Sequence, residues 1–278
     1  MSGPDSPQRT QVPCSGSQRS EEDGRIIRTV QQHYDASRFD CMSELVLEEV
    51  RHQTLLGAVE RYFDIAAWER VLDVGCGASA RNSFFVRRYW QRESVALDLS
   101  WRTLQQARDR IDALFVQGSV RALPFRDGSF SFVISTGVIH HAPRPRASLH
   151  ELARTVQPGG GLFVSVYNRA SVYRLVYHTL GAAARTLFRW KLAPLVRWLL
   201  VPVYAVVYNL IVWAALRRVV RVPYRQASAD FDDKFLTPYA SFHTIDEVRG
   251  WIADEGLTCL ASGTHMATMM IGFLISKE

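Results

Sequence analysis

The chain has 278 residues, 47% of them hydrophobic, and a formal charge of +6. That is enough apolar material for one large α/β domain, or for a domain carrying an insertion, and the positive balance points to an anionic partner, either nucleic acid or a membrane surface. The four cysteines, Cys14, Cys41, Cys76 and Cys259, include no CxxC pair. Their spacing excludes a zinc site or a disulfide framework and suits a reducing, cytoplasmic setting.

The first residues contain no apolar core of a signal peptide, and residues 1–24, rich in Ser, Pro, Gln and Gly, read as a disordered tail. From Arg25 to Phe63 the pattern is helical, with Val46, Val50, Leu55, Leu56, Val59, Tyr62 and Phe63 on one apolar face. Val71 to Val74 is a strand, followed by a glycine turn and a helix from Ser83 to Trp90. Ser94 to Leu97 is a second strand closed by Asp98, and Ser100 caps a helix from Trp101 to Arg110. Ala113 to Gln117 and Phe130 to Ser135 are the third and fourth strands. A helix from Arg146 to Thr155 is stopped by Pro158-Gly159-Gly160, and Leu162 to Val166 is the fifth strand. After a long interruption come a helix from Thr244 to Glu255 and strands at Thr258 to Ala261 and Met269 to Ile275.

This alternation predicts an α/β fold, a Rossmann-like doubly wound sheet, with a helical, basic and hydrophobic insertion after the fifth strand. Residues 25–167 form the N-terminal helices and the ligand-binding core, 168–226 the insertion, and 227–278 the C-terminal part of the core. Ligands in such sheets bind beyond the carboxyl ends of the strands. Asp73, Asp98, Ser119, His140 and His141 all fall there.

The punctuation resembles that of class I S-adenosylmethionine-dependent methyltransferases, especially the type 11 group of small-molecule enzymes. VLDVGCG (Val71 to Gly77) looks like their first motif, and ALDLS (Ala96 to Ser100) like their acidic second-strand loop. GSVRALPFRDGSFSFVIS and GVIHHAPRPRASLHELARTVQPGGGLFVSVYN are similar to the segments that follow. The resemblance implies S-adenosyl-L-methionine as methyl donor. The backbone of Gly75, Cys76 and Gly77 would cradle its methionine part, and Asp73 would balance its ammonium group. Asp98 would accept both ribose hydroxyls, Leu99 would pack on the adenine, Ser119 and Val120 would lie at the adenine edge, and Thr136 would complete the donor site. Two positions depart from the family: Ser119 stands where an acid is common, and Ser79 where the glycine loop usually continues.

Residues 168–226 carry ten basic residues and no Asp or Glu. In Ser171 to Lys191, Arg174, His178, Arg185 and Arg189 share one arc, opposite Val172, Val176, Tyr177, Leu180, Ala184, Leu187 and Phe188. This is the pattern of a basic helix lying in a membrane interface. Trp198 to Leu216 then runs without charge. A single crossing would place the two parts of the core on opposite sides, and Pro202 interrupts the run, so a shallow helix on an anionic cytoplasmic leaflet or a helical lid is expected. For chemistry, the candidates are His140, Tyr34 and His243, with packing or loop-positioning roles equally open to them. His141 reads as a helix cap and Thr244 as an N-cap. The expected activity is methyl transfer to a small or lipid-like apolar acceptor, with an RNA methyltransferase and a non-catalytic scaffold as alternatives.

Overall fold

Aliphatic strands that end in an acid or a glycine set the architecture of the computed structural model, which describes residues 15–36, 56–216, 222–266 and 268–278. The expected disorder of residues 1–14 lies outside the described residues, as do Val46, Val50, Leu55, Arg217, Arg218 and Arg221. Seven strands form one sheet in the order β3-β2-β1-β4-β5-β7-β6. β1 (Arg70–Val74), β2 (Glu93–Asp98), β3 (Leu114–Gln117), β4 (Phe130–Thr136) and β5 (Val156–Tyr167) run parallel. β7 (Met270–Ser276) lies antiparallel between β5 and β6 (Thr258–His265).

Alternate residues of each strand feed opposite faces, because successive side chains point to opposite sides of a sheet. Leu72, Val74, Val133 and Val164 pack under α5 (Pro145–Thr155) and α10 (Ile245–Asp254) through Leu149, Leu152, Val248 and Ile252. Val71, Phe132, Ile134 and Phe163 pack on the other face with Val59, Trp68, Phe85 and Trp90. There Trp68 stacks on Phe132 at 4.5 Å. These residues come from α2 (Leu56–Tyr62), the link after it, and α3 (Arg81–Phe85), which continues through a π turn, Val86–Trp90. α4 (Trp101–Arg108) starts where Ser100 accepts from the Thr103 N–H, and Thr244 and Glu247 form the expected capping box at α10.

Two sequence expectations change in the α/β core. Residues 15–24 are not tail but the first turns of α1 (Ser15–Ala36). Asp23 is buried and pairs with Arg144 at 2.8 Å, a tertiary contact that composition cannot reveal. The Pro158-Gly159-Gly160 stretch lies inside β5, which begins at Val156 directly after α5. The Gly159 N–H donates to Lys277 O, and a Cβ at Gly160 would sit 2.6 Å from Ser131 O.

The helical insertion also extends further than its composition suggests. It consists of α6 (Val172–Val176), a π turn (Tyr177–Gly181), α7 (Ala182–Arg189), α8 (Ala193–Leu216) and α9 (Tyr224–Phe231), with a second π turn, Asp232–Leu236. Phe231 and Phe235 pack with Ala184, Val196 and Val201, so the layer reaches Leu236. The π turn after α6 adds a residue to the turn and shifts the helical phase. The expected basic arc is therefore broken. Arg185 turns inward over Tyr177 at 4.2 Å and donates to Phe235 O at 2.8 Å, while Val172 and Leu175 face out.

Candidate ligand site at the carboxyl edge of the sheet

A cavity of about 1140 Å³ opens at the carboxyl ends of β1, β2 and β4 and continues under the helical layer. Small-ligand sites span roughly 300–1,000 Å³, so the space is at the large end for one ligand. One end is lined by Gly75, Cys76, Gly77, Asp98, Leu99, Ser119, Val120 and Thr136, eight of the nine residues expected from sequence to bind a donor.

The glycine loop is held by its own N–H groups. Gly75 N and Cys76 N donate to Leu97 O at 2.7 and 3.1 Å, and Gly77 N donates to Asp98 Oδ2 at 3.0 Å. The loop therefore meets a ligand through its bare shape and its carbonyl oxygens. Gly75 has φ +72°, and a Cβ there would lie 2.3 Å from Val138 Cγ2; both the backbone and the space require glycine. Asp98 accepts one N–H on each oxygen, the second from Ser100 at 2.9 Å. An ionised carboxylate offers about four acceptor sites, so it retains capacity for two ligand hydroxyls. Burial pushes its carboxyl up to about 6, opposed by those two N–H groups. Ser119 turns its hydroxyl to the Arg121 N–H at 3.3 Å. The Cys76 thiol is pushed up by burial, which suits wall rather than nucleophile.

Asp73 is the ninth residue, and it does not line the cavity. It is fully buried and accepts from Asn82 Nδ2 at 3.0 Å, Ser83 N at 3.0 Å and Ser83 Oγ at 2.9 Å. Its role is to fix the start of α3 and the loop before it. Asn82 Nδ2 also donates to Thr136 Oγ1 at 2.6 Å, which ties that loop to β4.

The histidine expectations reverse. His140 is buried against Tyr167, with ring centroids 3.8 Å apart, neither ring nitrogen has a partner, and it does not line the cavity. His141 does line it. Its Nδ1 lies 2.7 Å from Tyr239 O, so Nδ1 carries the proton and Nε2 is left as an acceptor. Burial lowers its pKa to about 4, so the ring is neutral at neutral pH. His243 is spent on structure: Nδ1 meets Glu247 Oε1 at 2.9 Å, Nε2 meets Ser241 Oγ at 2.8 Å, and the ring packs on Trp251. Tyr34 lines the cavity from α1, and its hydroxyl donates to Asp233 Oδ1 at 3.3 Å. Burial and Asp233 raise the phenol well above its ordinary range, so it stays protonated. Among the described residues, no cluster of His, Cys, Asp and Glu could hold a metal ion.

The far end of the cavity is built from residues that sequence reasoning missed as site residues. Val176, Leu180, Leu199, Val203 and Val207 supply apolar wall, while Tyr208, Lys234 and His265 supply polar groups, and Arg81 joins them in the lining from the start of α3. Lys234 Nζ bonds Asp230 at 2.6 Å, and Tyr204 also donates to Asp230.

A parallel sheet with a glycine turn after β1, an acid closing β2 and an antiparallel β7 defines the class I S-adenosylmethionine-dependent methyltransferase fold. It superposes on magnesium protoporphyrin IX methyltransferase from Synechocystis PCC 6803 with bound SAH at TM-score 0.51 and 12% identity, covering 95% of this chain and 100% of that one. Residues 72–164, about a third of the chain, match the family described as Methyltransferase domain. Relatives include the ubiquinone/menaquinone biosynthesis C-methyltransferase of Ruegeria sp. (strain TM1040), 30% identical over 142 residues. Another is the malonyl-[acyl-carrier protein] O-methyltransferase of Erwinia pyrifoliae, 33% identical over 153 residues. These alignments cover 48% and 54% of this chain, and it spans about half of those relatives, 56% and 51% of their lengths.

Proposed function

We propose that the protein is an S-adenosylmethionine-dependent methyltransferase acting on a small or lipid-like apolar acceptor, with the helical layer seated on an anionic membrane surface. The observation that carries this reading is the continuity of the cavity with the surface. Val172, Leu180, Leu199, Val203 and Val207 line the cavity and are also among the exposed hydrophobic side chains. An acceptor dissolved in a bilayer could pass through that face without crossing water. The relatives' names, with ubiquinone/menaquinone biosynthesis and malonyl-[acyl-carrier protein] in them, support a small or lipid-type acceptor.

Bound S-adenosylmethionine supplies an electrophilic methyl group. The chain's own residues position the reactants: Asp98 for ribose hydroxyls, the glycine loop for the amino-acid part, Tyr34 and the helical layer as walls that exclude water. His141 Nε2 is the available acceptor for a hydrogen bond from an acceptor hydroxyl.

The exposed face of α8 carries Trp198, Leu199, Val203, Val206, Val207 and Leu210, while Val196 and Val201 on its other side are buried. Ala193–Leu210 is long and apolar enough to cross a membrane. A crossing is disfavoured because β5 and β7, which flank the insertion, pair in one sheet, and Pro202 lies inside the helix. Contiguous exposed apolar surface of this kind marks an interaction site. Of the insertion's basic residues, Arg185 and Arg197 are engaged internally, the latter with Asp232 at 2.6 Å. That internal use also weighs against an RNA groove.

The test is incubation with methyl-labelled S-adenosylmethionine and separated lipid, small-molecule and RNA extracts. Label is expected in the lipid or small-molecule fraction. Label confined to RNA would overturn the reading.

A further inference from the structure

Arg81 is a cation on the cavity wall with no partner at contact distance. Among the described residues it makes no hydrogen bond and no ion pair, although it faces the shared space. The nearest acid that feels it, Asp73, is already occupied by Asn82 and Ser83. The Asp230 carboxylate is taken by Lys234 and Tyr204. Burial lowers the guanidinium from its ordinary value, and its field in turn helps hold neighbouring His265 neutral. Asp73 offsets part of that cost through its field alone, so the guanidinium N–H groups still lack an acceptor, and burying them is costly unless one joins them.

Tyr208 of α8 lines the same cavity as Arg81, and the field of the guanidinium favours its ionised form. Its ring packs under Lys234 Nζ, 5.1 Å from the centroid, and its hydroxyl makes no hydrogen bond among the described residues. A guanidinium and a phenol hydroxyl without hydrogen-bond partners, sharing one cavity with the apolar wall of Leu199, Val203 and Val207, form a receptor for an anionic head with a hydrocarbon tail. Guanidinium prefers planar two-oxygen anions, because its parallel N–H groups match them.

We propose that Arg81, together with the Tyr208 hydroxyl, receives the carboxylate of a long-chain acceptor whose hydrocarbon lies along α8 toward the exposed face. This rests on the methyltransferase reading and narrows its acceptor to an acid. A carboxylate could also come from the amino-acid part of the methyl donor. The acceptor is the source assigned here because Tyr208 and the hydrocarbon wall both belong to the insertion side of the cavity.

Calorimetric titrations separate the two sources. The probes are tetradecanoate, tetradecan-1-ol, S-adenosylhomocysteine and 5′-methylthioadenosine, which lacks the carboxylate. The protein is the full chain as wild type, Arg81→Gln and Tyr208→Phe. A charged hydrogen-bonded contact is expected to make tetradecanoate bind wild type at least ~10-fold tighter than the alcohol. Arg81→Gln should erase that gap, and Tyr208→Phe, which removes a single oxygen and keeps the packing, should narrow it. Both variants should keep wild-type affinity for S-adenosylhomocysteine, which also shows that they are folded. The proposal is overturned if wild type does not distinguish acid from alcohol. It is also overturned if Arg81→Gln keeps the gap and instead loses the preference for S-adenosylhomocysteine over 5′-methylthioadenosine, which would assign Arg81 to the donor. Failure of wild type to bind S-adenosylhomocysteine would remove the methyltransferase reading along with it.

Discussion

Asp98→Ala abolishes measurable binding of S-adenosylhomocysteine while the protein stays folded. The carboxylate closes β2 and spends one acceptor site per oxygen on the N–H groups of Gly77 and Ser100. Its remaining sites suit a pair of ribose hydroxyls. Hydrogen bonds to a charged group contribute about 1.5–3 kcal/mol each, so losing two weakens binding by roughly 10²–10⁴-fold. Calorimetry measures the loss, and circular dichroism checks the fold. Affinity equal to that of wild type would refute the ribose assignment. A pH profile gives an independent view. The Asp98 carboxyl sits at about 6 in the ligand-free protein, and hydroxyl donors favour its charged form. Affinity is therefore expected to fall as pH drops below about 6. The sign for stability is opposite. The native state holds this proton between the ordinary 3.8 and about 6 while the unfolded chain has lost it. The group's contribution to ligand-free stability thus declines as pH rises through that window. Asp233, also pushed up to about 6 by burial, adds in the same direction.

The second large effect concerns the exposed face of α8. The double variant Trp198→Glu, Val206→Glu should lose binding to phosphatidylglycerol vesicles and keep wild-type affinity for S-adenosylhomocysteine. The two side chains are 78% and 62% exposed, and neither lines the cavity. Their replacement therefore leaves the core and the donor site in place. Burying a large apolar side chain in a nonpolar phase is worth about 1.5–3 kcal/mol. Removing two and adding two carboxylates against an anionic surface should weaken vesicle binding by more than ~100-fold. Flotation measures it. Vesicle binding that survives in the variant, or that wild type never shows, would turn the face over to another role.

The sheet and the glycine-loop end of the cavity were legible because their signals are local. The run from Val71 to Gly77 carries its strand, its turn and the glycine that Val138 requires within seven residues, and Asp98 sits next to its own N-cap serine. Asp73 shows where local reading stops. The sequence places an acid at the strand end but cannot say that Asn82 and Ser83 consume it. Adjacent histidines look equivalent in sequence, yet the turn Ile139–His141 sends one ring against Tyr167 and the other to the cavity and Tyr239. The end of the cavity under the helical layer was illegible for a different reason. Arg81, Tyr208, Asp233 and His265 meet only through the fold, and the sole sequence hint was the basic, acid-free composition of 168–226. Even that hint misled in detail, since a π turn rotated Arg185 inward.

The central claim is that the carboxyl edge of the sheet, between the glycine turn of β1 and Asp98, binds the methyl donor. Titrating the wild-type chain with S-adenosylhomocysteine tests it most directly. The account predicts saturable binding at one molecule per chain, with a rise in melting temperature on the order of 5–10 °C at about a hundredfold excess over Kd. No heat and no thermal shift at millimolar ligand would contradict it.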